Sequence, residues 1–370
     1  MKFLFLEPFY GGSHKNFVQG LISHSSHIID LISLPARFWK WRMRGAALYF
    51  FNKISSFHDY DGLITTNLMS LSDFKALAGA KFPPSLVYFH ENQITYPAAP
   101  GKSKDFQFGF TDITTALCAD RILFNSKNHF NSFFEALPKF LNIMPEFRPK
   151  WVIDQIQTKS NFLYPGCTWS DYEKQPVFFK NKKKLPPLII WNHRWEFDKN
   201  PGDFFNALEA LLDKKIEFQL AILGESYQKM PKEFITAKKR FKDQIIQYGY
   251  IESKDQYHAM LQRGAIVVST ANQENFGISI VEAIRYGCIP ILPNRLSYPE
   301  LIPEQFHNDF LYNDFNEFVE KLCIIITHYD LFQTKGEILA NEMEKFGWKN
   351  QISKYDNELD KLVKNIIAEY

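Results

Sequence analysis

The sequence has few cysteines and no long apolar run. Four cysteines are present, and they are Cys118, Cys167, Cys288 and Cys323. Their spacing matches neither a disulfide framework nor a metal site, so a reducing, cytoplasmic compartment is predicted. The apolar amino terminus is interrupted at Glu7 and Pro8, which makes it too short for a secretory signal. Because no segment has membrane-spanning length, no stable membrane insertion is expected.

A strong charge of one sign is also absent. The net charge is +2, and 45% of the residues are hydrophobic and 23% charged, which is ordinary globular composition. The basic surplus lies in the first 150 residues. It favours an anionic partner for that half of the chain, although plain solubility explains it equally well. A length of 370 residues suits two domains, each with its own core.

Strand-like segments alternate with segments long enough for helices. This alternation predicts α/β domains with parallel, doubly wound sheets. The first series covers residues 2–6, 27–31, 62–66, 86–90 and 121–125, and the second covers 188–191, 217–223, 245–248, 265–269 and 289–292. The polar segment from Pro176 to Pro187 separates the two series and is interpreted as a linker. We therefore expect domains over residues 1–175 and 185–348.

Two acids eight residues apart, Glu274 and Glu282, bracket a glycine turn. Gly277 precedes a helix-compatible stretch with Ser279 as its predicted N-cap, and Gly287 ends that stretch. The backbone N–H groups at a helix N-terminus suit an anion, and carboxylates suit hydroxyl groups. Phosphate flanked by polyols describes a nucleotide sugar. The alternative is a capping box, in which Glu282 bonds only to the backbone N–H of Ser279.

A second motif follows the apolar segment that ends at Trp191. Arg194 and Lys199 lie in the loop predicted between this strand and a helix that begins at Pro201. Such loops at the carboxyl edge of a parallel sheet bind ligands in open α/β folds. A guanidinium and an ammonium are suitable counter-ions for a diphosphate, although the same pair also occurs on ordinary solvated surfaces.

Together, the Arg-x4-Lys and Glu-x7-Glu pairs resemble the family 4 retaining glycosyltransferases. The resemblance implies the GT-B fold, in which two Rossmann-like domains face each other across a cleft and a last helix, here residues 349–370, packs back on the first domain. It also implies that Arg194 and Lys199 face the donor diphosphate. By the same resemblance Glu274 meets hydroxyl groups of the transferred hexose, and Glu282 holds the nucleotide ribose.

Polar or glycine residues also follow two strands of the first domain. Gly11 and Gly12 come after the first strand, where paired glycines allow a ligand to approach the backbone closely. A run of four polar residues, His90 to Gln93, directly follows another strand. The family resemblance places an active-site histidine, here His90, near the transferred sugar.

An apparent metal-binding motif lies elsewhere in the first half. Asp59 and Asp61 have the Asp-x-Asp form that another glycosyltransferase fold uses to bind a metal. They precede a strand, so they are predicted at the edge of the sheet opposite the ligand site. No catalytic metal is expected.

Residues 34–51 have the most unusual composition in the chain. Cations alternate here with aromatic residues, namely Arg37, Phe38, Trp39, Lys40, Trp41, Arg42 and Arg44. This pattern suits RNA, through phosphate contacts and base stacking. It also suits an anionic membrane, or a packed aromatic face with cations at its rim. Composition alone leaves these three interpretations open.

Three motifs, at residues 7–14, 34–45 and 88–97, look like those of the tRNA-queuosine alpha-mannosyltransferase family. This resemblance implies transfer of mannose from GDP-mannose to queuosine in the anticodon of tRNA-Asp, with retained configuration and no cofactor. The implied catalytic residues are His90, Arg194, Lys199 and Glu274. The implied donor-binding residues are Gly11, Gly12, Arg194, Lys199, Glu274, Asn275, Phe276, Gly277, Ile278 and Glu282. The implied acceptor-binding residues are His14, Arg37, Trp39, Lys40, Arg42, Arg44, Glu91, Asn92 and Gln93. The alternative function is a cytoplasmic-face glycosyltransferase of lipid-linked or surface glycan synthesis, with residues 37–44 on the membrane.

Overall fold

The computed structural model describes residues 1–79, 82–99, 101–169, 186–224 and 230–367. The chain forms two compact units, one from Met1–Thr168 with Phe346–Tyr370 and the other from Trp169–Lys345. Most of the predicted linker, residues 176–185, lies outside the described residues. Within the described part of the chain, no helix combines the length and apolar character required to cross a membrane.

A six-stranded parallel sheet forms the centre of the first unit. Its strands are β1 (Lys2–Tyr10), β2 (Ile28–Pro35), β3 (Gly62–Thr66), β4 (Ser85–Phe89), β5 (Arg121–Phe124) and β6 (Ser160–Phe162). Their order across the sheet is β2-β1-β3-β4-β5-β6, and all neighbours are parallel. The five predicted strands are confirmed, and the short edge strand β6 was not predicted. The helices that alternate with these strands are α1 (Gly12–His24), α2 (Trp39–Lys53), α3 (Leu71–Ala78), α4 (Phe106–Cys118), α5 (Lys127–Leu141) and α6 (Val152–Gln157).

The second unit repeats this plan. Its strands are β7 (Leu188–Asn192), β8 (Gln219–Leu223), β9 (Ile245–Gly249), β10 (Ile266–Val268), β11 (Ile289–Pro293) and β12 (Leu311–Tyr312). They form a parallel sheet in the order β12-β11-β10-β7-β8-β9. The helices are α7 (Pro201–Asp213), α8 (Lys232–Arg240), α9 (Lys254–Arg263), α10 (Ile278–Arg285), α11 (Tyr298–Leu301), α12 (His307–Phe310), α13 (Phe315–Thr327) and α14 (Tyr329–Glu342). The predicted α/β class with two Rossmann-like domains is therefore confirmed.

The last helix, α15 (Trp348–Ile367), belongs to the first unit. It covers one face of that sheet together with α1, and its Trp348 and Tyr355 join Phe5 and Phe17 in a buried cluster. A Cβ atom on Gly20 of α1 would overlap the Trp348 indole, so glycine is required where the two helices meet. Replacing such a buried tryptophan by alanine typically costs about 3–5 kcal/mol. The opposite face of the sheet is covered by α2 to α6.

Candidate active-site residues

Lys199 lies at the end of the loop between β7 and α7, in the short 3-10 turn Phe197–Lys199. Its side chain is buried, with 5% of the residue exposed. The ammonium donates to the carbonyl oxygen of Gln273 at 2.6 Å and to Glu274 Oε2 at 3.3 Å, and it lies 3.2 Å from Asp198 Oδ2. Lys199 and Glu274, which belong to two different predicted motifs, are therefore in direct contact. Asp198, which the sequence did not single out, shares the charge of the lysine.

Main-chain hydrogen bonds hold this cluster together. The hydroxyl group of Thr270 donates to the carbonyl oxygens of Lys199 and Asn200, each at 2.9 Å. The carbonyl oxygen of Asp198 accepts the N–H of Asn272 at 2.8 Å. The loops after β7 and β10 thus form one scaffold at the carboxyl edge of the second sheet.

Glu274 is held in its ionised form by neighbouring positive charge. Burial alone would raise the pKa of Glu274, but the charges of Lys199 and Arg194 lower it below its ordinary value. Burial lowers the pKa of His193 to about 4, so that ring is neutral near pH 7. The Arg194 side chain is 45% exposed and lies 3.7 Å from Glu196, which makes it the more accessible cation of the predicted pair.

The turn before α10 depends on Gly277. This residue is the N-cap of α10 and has φ of 93°, a conformation that favours glycine. Its carbonyl oxygen accepts the N–H groups of Ile280 and Val281 at 3.0 Å. The prediction that Ser279 is the N-cap is wrong, because the left-handed glycine starts the helix two residues earlier. The first N–H groups of α10, which have no partner within the helix, belong to Ile278 and Ser279.

Glu282 lies in the second turn of α10, and its carboxylate does not form a capping box. The hydroxyl group of Tyr257, on α9, donates to Glu282 Oε2 at 3.1 Å. Asn192 Nδ2 donates to the Tyr257 oxygen at 3.1 Å and to the carbonyl oxygen of Ser279 at 2.8 Å. Burial raises the pKa of Glu282 to about 7, although Tyr257 and Lys254 oppose the rise. Neither Tyr257 nor Asn192 was predicted, because no local motif marks them.

In the first unit, strand β1 continues through Tyr10, so residues 7–10 lie in the strand and not in the loop that was expected there. Gly11 follows in an extended conformation, and a Cβ atom on it would overlap Ala36. Gly12 begins α1 with φ of 50°. The packing of the chain itself therefore explains why glycines stand here, and their contact with a donor stays a prediction.

Glu7, His14 and His90 meet at the carboxyl edge of the first sheet. Glu7 Oε1 lies 3.2 Å from His14 Nδ1, and both residues are buried. The rings of His14 and His90 have centroids 3.9 Å apart and planes inclined by 33°. Among the described residues, these three form a group whose potential metal-ligating atoms lie within 4.8 Å of one another.

The turn after β4 bonds mainly to itself. Asn92 is fully buried, its Nδ2 donates to the Thr95 hydroxyl at 2.8 Å, and its Oδ1 accepts the Thr95 N–H at 2.8 Å. Gln93 donates through its side chain to Glu91 at 3.1 Å and through its backbone to Asp112 at 2.6 Å. Burial raises the pKa of Asp112 to about 8. The Asn92 side chain thus shapes the turn that presents His90.

The aromatic residues near the start of α2 divide into two sets. Trp39 packs on Phe108, with ring centroids 5.1 Å apart. Phe38 and Trp41 are 69% and 76% exposed. Phe38 also has φ of 55°, an uncommon conformation for a residue with a large side chain. Core packing therefore accounts for Trp39 and not for Phe38 or Trp41.

The cations of this segment also differ in their surroundings. Arg37, Lys40 and Arg44 are exposed, and Arg42 is half-buried. Arg42 Nη2 donates to the carbonyl oxygen of Pro35 at 3.2 Å, which supports the turn into α2. Arg37 and Lys40 are exposed next in sequence to the two exposed aromatic residues, and the Lys40 ammonium lies 5.5 Å from the centroid of the Trp39 ring. We call the exposed residues Arg37, Phe38, Lys40 and Trp41 the basic aromatic surface.

Asp59 and Asp61 lie at the amino-terminal edge of the first sheet, as predicted. Asp61 Oδ2 accepts the backbone N–H of Lys2, the first residue of β1, at 2.7 Å. Asp61 therefore pairs with the backbone N–H at the start of β1, which accounts for an aspartate at this position.

Comparison with known proteins shows relationships over both units. Residues 2–167 match the family model described as tRNA-queuosine alpha-mannosyltransferase N-terminal, and residues 173–329 match that of glycosyl transferases group 1. The chain is 36% identical over 364 residues to the tRNA-queuosine alpha-mannosyltransferase of Drosophila melanogaster, which covers 95% of this chain and 94% of the relative. It is 25% identical over 174 residues, 46% of each chain, to a GDP-mannose:cellobiosyl-diphosphopolyprenol alpha-mannosyltransferase of Xanthomonas oryzae pv. oryzae (strain PXO99A).

Solved structures share the fold at low sequence identity. Sucrose-phosphate synthase from Thermosynechococcus elongatus aligns with a TM-score of 0.74 and 13% identity over 100% of both chains. HepE from Anabaena in complex with UDP aligns with a TM-score of 0.65 and 14% identity over 98% of this chain and 100% of that one. The shared fold, and the 36% identity to the Drosophila protein over nearly the full length of both chains, show that this chain is a GT-B glycosyltransferase and belongs to the tRNA-queuosine alpha-mannosyltransferase family.

Proposed function

We propose that the enzyme transfers mannose, with retained configuration, from GDP-mannose to queuosine in the anticodon of tRNA-Asp. The observation that carries the proposal is the 36% identity to the Drosophila relative, because it extends over 95% of the chain and so includes both units. The Xanthomonas relative is named for a GDP-mannose donor, which supports the same donor here. We place the reaction in the cytoplasm, without a cofactor or a stable membrane anchor.

On the donor side, the second unit supplies a preorganised set of charges. Arg194 and the first N–H groups of α10 would face the diphosphate, and Glu274 would accept hydrogen bonds from mannose hydroxyls. Lys199 is held between Asp198 and Glu274, so it contributes by fixing Glu274 as well as by its own charge. Groups fixed in advance stabilise charge that develops on a leaving group, and loss of one such donor typically costs about 10²- to 10³-fold in rate.

On the acceptor side, the basic aromatic surface suits an unpaired region of RNA. Exposed aromatic rings stack on bases that are splayed out of a loop, and neighbouring cations contact the phosphates. Trp41 is 76% exposed and lies one residue from Lys40. An anticodon loop presents both unpaired bases and closely spaced phosphates, which fits this arrangement.

A transfer assay tests the proposal directly. The enzyme is incubated with radiolabelled GDP-mannose and with tRNA-Asp that either contains queuosine or carries guanosine at the same position. We expect label only in the queuosine-containing tRNA. Label that enters a polyprenol-diphosphate extract and neither tRNA would instead support the alternative of lipid-linked glycan synthesis.

Variants of α2 test how the acceptor binds. Trp41→Ala is expected to raise the KM for tRNA about 5- to 150-fold, because stacking on one base contributes about 1–3 kcal/mol. Leu48→Ala is the matched control, since Leu48 is 64% exposed on the same helix and is aliphatic. Equal tRNA KM values for both variants and the parent would contradict the stacking role.

The salt dependence of tRNA binding tests the phosphate contacts separately. Replacing Arg37 and Lys40 with alanine is expected to reduce the slope of log affinity against log salt by about 0.7 to 0.9 per lost contact. Lys53→Ala, at the far end of α2, should leave the slope unchanged. Binding of the parent to anionic vesicles with no measurable binding to tRNA would contradict an RNA surface.

A further inference from the structure

The buried carboxylate of Glu7 has no role in the chemistry proposed above. The residue is 0% exposed, and its Oε1 accepts hydrogen bonds from the Phe9 N–H at 2.8 Å and the Thr66 hydroxyl at 3.2 Å. Oε2 has no hydrogen-bond partner among the described residues. A buried carboxylate is costly unless it is paired, so the imidazole of His14, 3.2 Å from Oε1, is its main compensation.

Glu7 determines which nitrogen of His14 carries a proton. Glu7 Oε1 already acts as an acceptor for the Phe9 N–H and the Thr66 hydroxyl, so the Nδ1 atom that faces it holds the proton. A carboxylate that accepts from one ring nitrogen fixes both the tautomer and the plane of the imidazole. The oriented His14 ring then lies against His90, with ring centroids 3.9 Å apart.

The surroundings of His90 favour its neutral form. Burial lowers the pKa of His90 well below its ordinary value, and His14 on α1 and His129 on α5 lower it further. The rings of Tyr88 and His90 also make an edge-to-face contact, with centroids 4.8 Å apart and planes inclined by 72°. A neutral imidazole offers a sugar hydroxyl both a donor and an acceptor, whereas a charged one offers only donors.

We infer that Glu7 and His14 are positioning residues for His90, with Glu7 orienting His14 and the His14 ring stacked on His90 to fix it. The consequence for catalysis rests on the proposed function, since it requires His90 to contact the transferred mannose. The coupling among the three side chains is a property of the first unit and does not depend on the substrate. His14, predicted to bind the acceptor, is thereby assigned to the support of His90.

A shared metal ion is the competing interpretation of the same cluster. The ligand atoms lie close enough for one, within 4.8 Å. However, His14 Nδ1 lies 3.2 Å from Glu7 Oε1, within hydrogen-bond distance of this carboxylate. A ring nitrogen that carries a proton and donates it to a carboxylate has no lone pair to offer a metal. The geometry therefore favours direct coupling among the three side chains.

NMR titration of the histidine rings in the full-length enzyme tests this coupling. Nitrogen-15 labelling reports the charge and tautomer of each ring, and His90→Asn assigns the His90 signal. In His14→Phe, which keeps a flat ring but removes the ring nitrogens whose electrostatic effect lowers the pKa of His90, the titration midpoint of His90 is expected to move upward. In Glu7→Gln, His14 is expected to lose its fixed Nδ1–H tautomer and to show a mixture.

The kinetic consequence separates positioning from general stability. Glu7→Gln and His14→Phe are each expected to lower kcat about 10- to 100-fold, as loss of a supporting partner typically does, with the donor KM unchanged. If His14→Phe folds poorly, the double variant Glu7→Gln/His14→Phe replaces it in both experiments, because the added Glu7→Gln change leaves no buried carboxylate without its imidazole partner. The matched control is His24→Phe, because His24 is an exposed histidine on the same helix α1. It should change neither kcat nor the titration midpoint of His90.

Two results would overturn the inference. One is an unchanged His90 titration in both His14→Phe and the double variant. The other is about one equivalent of tightly bound metal in the purified enzyme, with activity lost in EDTA and restored by that metal. If the enzyme fails to modify tRNA, the proposed function fails, but the NMR titration still decides whether the three side chains are coupled.

Discussion

Replacing Tyr257 with phenylalanine removes one hydroxyl group and the two hydrogen bonds that it makes. It donates to Glu282 Oε2 at 3.1 Å and accepts from Asn192 at 3.1 Å. Asn192 keeps its bond to the carbonyl oxygen of Ser279, so the local packing should survive. Glu282 loses a donor that favours its charged form. Its pKa, which burial raises to about 7 against the opposing effects of Tyr257 and Lys254, therefore moves higher.

The size of the effect follows from the titration of Glu282. If only the carboxylate holds a ribose hydroxyl, the KM for GDP-mannose rises as the pH falls through about 7, approaching about tenfold per pH unit. A hydrogen bond to a charged group contributes about 1.5–3 kcal/mol, which corresponds to one or two pKa units. At pH 7 the variant would have roughly one-tenth or less of Glu282 ionised, so its donor KM should be about fivefold or more above that of the parent.

Initial rates at varied GDP-mannose and saturating tRNA, measured from pH 5.5 to 9, give the donor KM curve. The Tyr257→Phe curve should have the same shape as that of the parent and lie at higher pH, with recovery in the alkaline range. Tyr250→Phe is the matched control, because Tyr250 is 58% exposed in the connection before α9. A donor KM of the parent that is level over this range, or superimposable curves for parent and Tyr257→Phe, would refute the reasoning.

Three further predictions concern stability. Gly20→Ala should displace the Trp348 indole, lower the free energy of unfolding by about 1–3 kcal/mol and reduce Tm in calorimetry, and an unchanged Tm would contradict the packing of α15 on α1. Lys199→Met leaves Asp198 buried without its cation, so it should abolish transfer and lower the free energy of unfolding by about 3–5 kcal/mol. The double variant Lys199→Met/Asp198→Asn should recover the Tm of the parent but not its transfer activity. Burial raises the pKa of Asp112 from 3.8 to about 8, so the folded state binds this proton more tightly than the unfolded state does. The resulting stability is fully present below the unfolded pKa of 3.8, declines as the pH rises between the two pKa values and is gone above about 8. Tm should therefore fall up to about pH 8 and then level off with respect to this group, and an equal or steeper fall in Asp112→Asn would contradict this assignment.

The longer strands of both sheets were predictable, including the edge strands β2 and β9, whereas the short edge strands β6 and β12 were not. Residues 62–66 form β3 with the predicted bounds, because five consecutive residues are buried in a parallel sheet and few polar residues interrupt the run. Ser160–Phe162 and Leu311–Tyr312 contain three and two residues. Such short segments carry no periodicity, and only their neighbours in the sheet make them strands.

The placement of Arg194 and Lys199 in one loop, and of Glu274 in the turn before α10, was predictable because these motifs are local; their contact with a donor stays a prediction. The contact between Lys199 and Glu274 follows from two loops at the same sheet edge. The prediction for Ser279 is wrong because serine is a favourable N-cap residue type, but the left-handed backbone of Gly277 starts the helix two residues earlier. No local motif marks Tyr257, because Asn192, which donates a hydrogen bond to its hydroxyl oxygen, lies 65 residues earlier in the chain.

The basic segment shows a different limit of sequence reasoning. Trp39 and Trp41 are two residues apart and have the same chemistry, and of the two only Trp39 was predicted to bind the acceptor. The phase of α2 decides that one packs on Phe108 and the other faces solvent. Glu7 was overlooked for a related reason, because its importance comes from Thr66 and His14, which reach it only in the folded unit.

The position of α15 at the end of the chain affects how the protein is made. The first unit needs Trp348, Tyr355 and Leu359 to cover one face of its sheet, yet the ribosome must first synthesise all of residues 169–345. At roughly 5–20 residues per second, this leaves Phe5 and Phe17 uncovered for about 10 to 40 seconds in every nascent chain. A newly made first unit therefore exposes part of this apolar face until α15 has been synthesised. A chain that stops within the second unit lacks this helix and keeps the face exposed, whether or not its active-site residues are present.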